Sequence, residues 1–216
     1  MNNVAVYAVD VGSIPNGNFG WSCGALPERE VPLSGGVTIE GVKDRLLQDL
    51  EAGRPVALGF ECPLFFPTGR RTKDLCAQRE GEKGSPWSAA AGATSLTSGL
   101  AQARWLFREI HAGLRPLPPV SFSWSRFAEK GGLFIWEAFI TGTGKAGEKE
   151  GHQEDAETAV RAFLRALPDP TGSNAVNEQQ VFSLVGALLL ETGWSTDLAL
   201  LQEPALVIRP EIGLAV

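Results

Sequence analysis

Three stretches of the chain are almost unbroken apolar runs, and each carries a single acid. Residues 3–11 read NVAVYAVDV, with Asp10 next to last. Residues 55–60 read PVALGF and run into Glu61, and residues 132–141 read GLFIWEAFIT around Glu137. Continuous apolar runs of this length predict strands buried on both faces of a sheet. Residues 13–18 include Pro15, Asn16, Gly17 and Asn18, which suit a tight reversal, so residues 19–26 are predicted to return antiparallel to the first strand. A weaker third strand is predicted near 31–37. From 38 to 52 the spacing changes: Ile39, Val42, Leu46, Leu47 and Leu50 repeat at helical intervals, and Gly53 is placed to end that helix.

Further helices are predicted over 100–112, stopped by Gly113 and Pro116; over 154–167, ended by Pro168; and over 177–192, ended by Gly193. Residues 67–98, rich in Gly, Ser, Ala and charge, read as one long loop insertion, and residues 142–151 as a second flexible loop. The order of elements predicts one α/β domain over 1–216. Its five-stranded mixed sheet would begin as an antiparallel meander and continue with parallel strands, helices covering both faces. On the same connection rules the first strand and the 55–60 strand lie adjacent and parallel.

Composition narrows the setting. With 216 residues, 44% of them hydrophobic, the chain can bury a core without disulfides. Nothing approaches the roughly 18–20 apolar residues of a membrane span, and the N-terminal residues lack the basic region of a signal peptide. Cys23, Cys62 and Cys76 show no metal-ligand spacing, and His111 and His152 are the only histidines. Free thiols in a cytoplasmic protein are expected. A net charge of -6 argues against a broad grip on duplex nucleic acid, which depends on many cations along the backbone. The one cationic stretch, Arg70, Arg71, Lys73, Arg79 and Lys83, is interleaved with Asp74, Glu80 and Glu82. It reads either as a solvated mixed-charge loop or as a local grip on a phosphate.

The acids carry the chemistry. An ionised carboxylate buried without a partner is costly, and three near one another are worse. Arg or Lys partners, raised pKa values or a divalent cation would each resolve the conflict. Asp10 and Glu61 fall at the C-terminal ends of neighbouring parallel strands, where open α/β sheets place their ligands. Carboxylates gathered there are hard oxygen ligands of the kind Mg²⁺ or Mn²⁺ takes.

The YAVDVG opening, the GFECPLF strand end, the Arg- and Cys-containing loop after it and the FIWEAF strand together resemble the DUF429 family of ribonuclease H-like proteins. The resemblance spans residues 4–194 and rests on the order of short motifs. It implies a ribonuclease H-like fold, Asp10 as the first-strand acid that bridges metals, Glu61 as the strand-end acid and Glu137 as the later-strand acid. The family's last-helix acid has no counterpart in Ser183-Leu184-Val185-Gly186-Ala187; Glu178, Asp155 and Glu157 are the substitutes at hand. A second resemblance, of Asp10-Val11-Gly12-Ser13 to the first phosphate loop of actin-like ATPases and sugar kinases, implies a second domain for which 216 residues leave no room.

Three readings follow. A metal-dependent nuclease or phosphodiesterase would use Asp10, Glu61 and Glu137 as metal ligands, with Glu178 or Asp155 in support. Ser13, Arg70, Arg71, Arg79 and Trp87 are its candidate substrate contacts, and its substrate a structured nucleic acid or a nucleotide. A binding module would hold such a ligand without cleaving it. A scaffold would keep the acids for structure and present an apolar surface to a protein partner. No membrane association is expected under any of them.

Overall fold

The computed structural model describes residues 3–25, 33–82, 86–138 and 151–210. The first apolar run forms β1 (Ala5–Asp10), every residue of it buried. The chain reverses through a short turn at Ile14–Asn16, where Gly17 takes a left-handed φ of 71°, and returns as β2 (Gly20–Ala25) and β3 (Ser34–Gly36), both antiparallel. Helix α1 (Ile39–Glu51) starts at Thr38, whose hydroxyl accepts from Gly41 N at 3.3 Å, and stops before Gly53, whose φ is 70°. Strand β4 (Val56–Phe60) then pairs parallel with β1, as predicted.

The remaining elements depart further from the sequence reading. Strand β5 (Phe65–Pro67) pairs antiparallel with β8 (Val181–Ser183) in a separate two-stranded sheet. Helix α2 (Ala90–Gly113) begins ten residues earlier than predicted, so the loop ends before 90 rather than at 98. Its first turns, AAGATSLTSG, are mostly partly or fully exposed and carry no apolar stripe to announce them. Next come β6 (Val120–Ser121), α3 (Trp124–Lys130), β7 (Leu133–Ala138) and α4 (His152–Ala166). The helix predicted over 177–192 is only α5 (Leu184–Glu191), because β8 occupies residues before it. The last strand is β9 (Leu206–Ile208). The 142–150 part of the predicted Gly-rich loop and the 139–141 end of the third apolar run lie outside the described residues.

The main sheet has seven strands rather than five, in the order β3-β2-β1-β4-β7-β6, with β9 also on β7. Both additions share one edge: β6 pairs with Leu133 and Phe134, and β9 with Trp136 through Ala138, so two short strands cover successive halves of β7. Helices pack on both faces. On one, Tyr7, Val9, Leu58, Phe60 and Ile135 meet α1, α2 and α5. On the other, Val6, Ala8, Ala57, Phe134 and Trp136 meet α4 and α3. Alternation along each strand therefore decides which helix layer a side chain reaches. No described helix is long and apolar enough to cross a membrane.

Candidate metal centre

Asp10 ends β1, and Glu61 follows β4 by one residue. The parallel register pairs Val9 with Phe60, and Glu61 N donates to Val9 O at 2.8 Å, so the two acids leave the sheet side by side. Asp10 shares its strand face with Val6 and Ala8, in the core under α4. Asp155 lies in the first turn of that helix. Ligand oxygens of Asp10, Glu61 and Asp155 all lie within 4.8 Å of one another, and Asp10 and Asp155 are only 3% and 5% exposed. His152, at the start of α4, places Nδ1 2.5 Å from Asp10 Oδ2 while keeping about a third of its side chain exposed.

Three carboxylates this close repel one another, and the α4 N-terminus answers part of that repulsion. Its aligned peptide dipoles present partial positive charge to the acid in its first turn. A hard divalent cation would fit this set: carboxylate oxygens suit Mg²⁺, Mn²⁺ or Ca²⁺ better than a softer, thiolate- or imidazole-seeking ion.

Comparison of the chain with protein-family models, curated proteins and solved structures finds no match. The reading of the site rests on its own geometry.

Glu137 does not join the cluster. It pairs in register with Phe60 and lies on the face of β7 that carries Leu133 and Ile135, on the side of the sheet away from α4. There it is fully buried and paired: the Arg79 guanidinium donates to both its oxygens, at 2.8 and 2.6 Å, and Leu64 N donates at 3.0 Å. Arg79 is spent in the same way. Only 2% exposed, it also donates to Glu82 Oε1 through Nε and Nη2, and its guanidinium stacks 4.8 Å above the Phe65 ring. It faces the protein interior rather than a substrate. Cys62, next to Glu61, is equally enclosed; burial pushes its thiol well up, the carboxylates of Glu137 and Glu61 add to that and Arg79 opposes it. A thiol held neutral is no nucleophile.

The other sequence candidates fall elsewhere. Glu178 precedes β8 in a loop rather than on a helix; it pairs with Arg70 and accepts from Glu80 N at 2.7 Å. Arg70 also donates to the carbonyls of Ala77 and Gln78, so it braces its own segment. Arg71 pairs with Asp74 at 2.9 Å and is largely exposed. Trp87 is half-buried: its ring stacks on Phe66 with centroids 5.5 Å apart, and Nε1 donates to Ala77 O. Ser13, three residues past Asp10, accepts from Asn16 N and Asn18 N through its carbonyl, which shapes the turn.

In the sequence Asp155 stands only as a substitute acid, and His152 only as one of two histidines with no role assigned. A signal for Asp155 was present. Ala156, Ala159, Val160 and Phe163 form the buried stripe of α4, and Asp155 sits on that stripe. An acid on the apolar side of an amphipathic helix is out of place unless it has a task.

Proposed function

We propose that the protein is a divalent-metal-dependent phosphodiester hydrolase of ribonuclease H-like type, with Asp10, Glu61 and Asp155 holding Mg²⁺ or Mn²⁺. The observation that carries this reading is the convergence of three carboxylates, from β1, the end of β4 and the start of α4, at the C-terminal edge of a parallel strand pair. The meander followed by parallel strands agrees with the fold that the sequence resemblance implies. Asp155 takes the part of the last-helix acid that residues 183–187 lack.

When bound, the ion supplies Lewis acidity toward a phosphodiester oxygen and favours ionisation of an attacking water. The chain's own groups do the rest. Asp10 and Asp155, held nearly solvent-free on a strand end and a helix turn, fix the positions of their oxygens. His152 is oriented through Nδ1 by Asp10 at the rim of the cluster. The acidic chain favours a compact or structured substrate, such as a nucleotide or a folded nucleic-acid end, over long duplex DNA.

The test is cleavage of a panel of structured nucleic acids and nucleotide phosphodiesters with Mn²⁺ present. The reading predicts hydrolysis that needs the metal and disappears in Asp10→Asn. Hydrolysis that survives in Asp10→Asn, or none across the panel while Mn²⁺ binds, removes the catalytic claim; the latter leaves a metal-dependent binding module.

A further inference from the structure

Asp10 and Asp155 come from elements far apart in the chain, and their meeting depends on how closely α4 lies on the meander. The contact that sets this distance involves neither acid. Gly20, the first residue of β2, is the antiparallel register partner of Asp10. Directly opposed residues on neighbouring strands point to the same face, so the bare Cα of Gly20 faces α4 beside the Asp10 carboxylate. A Cβ built there would lie 2.3 Å from His152 C, 2.5 Å from His152 O and 2.5 Å from Gln153 N. All three are backbone atoms of the first helical turn, which carries His152 against Asp10 and Asp155 into the cluster. Backbone cannot swing aside as the end of a long side chain can.

We propose that Gly20 is a positioning residue of the metal centre: its missing side chain seats the first turn of α4 against β2 and so sets where Asp155 and His152 stand relative to Asp10. This rests on the metal-site reading of the three acids. Ordinary van der Waals contact begins at 3.4 Å, so a methyl group at residue 20 lifts the helix start by roughly 1 Å, a displacement of the size that disables otherwise complete sites. Gly24, further along the same strand, provides the control. A Cβ there would meet only side-chain atoms, Leu33 Cδ2 at 2.5 Å and Leu164 Cδ1 and Val160 Cγ1 at 3.4 Å. Gly24→Ala crowds the α4 interface without pressing on the helix start.

The experiment compares wild type, Gly20→Ala and Gly24→Ala by two readouts. One is Mn²⁺ affinity by calorimetry; the other is the imidazole ¹⁵N signal of His152 without metal, which is simple to assign in a chain with two histidines. Gly20→Ala is expected to weaken Mn²⁺ binding about 10–100-fold, the range seen when a residue supporting metal ligands is lost, and to shift the His152 signal. Gly24→Ala leaves both near wild type even if it unfolds at a lower temperature. A folded Gly20→Ala with an unchanged His152 signal overturns the proposal whatever the metal does, as does a loss of affinity equal in both variants. If wild type binds no Mn²⁺ while the His152 signal still shifts in Gly20→Ala alone, the metal-site reading fails and the seating of α4 by Gly20 stands.

Discussion

Glu61 and Glu137 lie one register step apart on neighbouring parallel strands, and that step sends them to opposite faces of the sheet. Glu137 is paired with Phe60 and shares the face occupied by Leu133 and Ile135. Glu61 follows Phe60 and meets Asp10 and Asp155 on the α4 side. One acid is paired with Arg79, while the other joins a carboxylate cluster of the kind that binds a divalent cation.

Glu137→Gln should therefore act on stability. Removing one member of a buried ion pair costs about 3–5 kcal/mol, and the lower end is expected here because Glu82 still pairs with Arg79. Urea denaturation measures the loss. Mn²⁺ affinity of the folded variant should stay within about threefold of wild type, well short of the 10–100-fold that follows damage to a metal site.

Asp10→Asn should behave in the opposite way. Without metal, an amide in place of one of three crowded carboxylates relieves repulsion but weakens the contact with His152, so the thermal midpoint should stay close to that of wild type. Excess Mn²⁺ should raise the midpoint of wild type, by about 2.7 kcal/mol of added stability at a hundredfold excess over the dissociation constant, and leave Asp10→Asn unmoved. A wild-type midpoint indifferent to Mn²⁺ goes against the site.

Alkaline pH should destabilise the fold through buried groups that ionise less readily in place than in the unfolded chain. Burial pushes the thiols of Cys62 and Cys23 above their ordinary 9.0, and burial together with the hydrogen bond to Asp49 pushes the Tyr7 hydroxyl above its ordinary 10.0. In the unfolded chain these groups release protons near those ordinary values; in the folded chain they hold them to higher pH. The unfolded state then binds fewer protons, and stability falls as pH rises, by up to about 1.4 kcal/mol per pH unit for each group. Urea midpoints should begin to fall near pH 9 and fall more steeply past pH 10, and Cys23→Ala with Cys62→Ala should flatten the first part of the decline. A midpoint flat to pH 11 contradicts this.

Gly59→Ala should damage the core on the α4 side. A Cβ there would lie 2.4 Å from the indole of Trp136, a fully buried ring packed on Phe163 with centroids 4.6 Å apart. Overpacking of this kind costs about 1–3 kcal/mol, readable in a calorimetric scan.

The elements that the sequence made legible are those whose information is local. β1, β2, α1 and β4 lie close to their predicted places because an apolar run or a helical stripe marks each one. β5 and β8 escaped notice because each has three residues and its partner is more than a hundred positions away; β6 and β9 are short pieces that matter only through β7. The site divided along the same line. Asp10 and Glu61 were legible as acids at the ends of adjacent parallel strands. Glu137 was not separable from them, since the face it occupies is fixed by a pairing register that no single strand encodes. His152 carried no signal, because its contact with Asp10 exists only once α4 is seated on the meander.

The central claim is that Asp10, Glu61 and Asp155 form a metal centre and Glu137 does not belong to it. Calorimetric titration of Mn²⁺ into wild type, Asp155→Asn and Glu137→Gln at physiological salt tests it most directly. The account predicts saturable binding in wild type and folded Glu137→Gln, and its loss in Asp155→Asn. Binding that survives in Asp155→Asn but vanishes in a folded Glu137→Gln, or no binding in wild type, would contradict it.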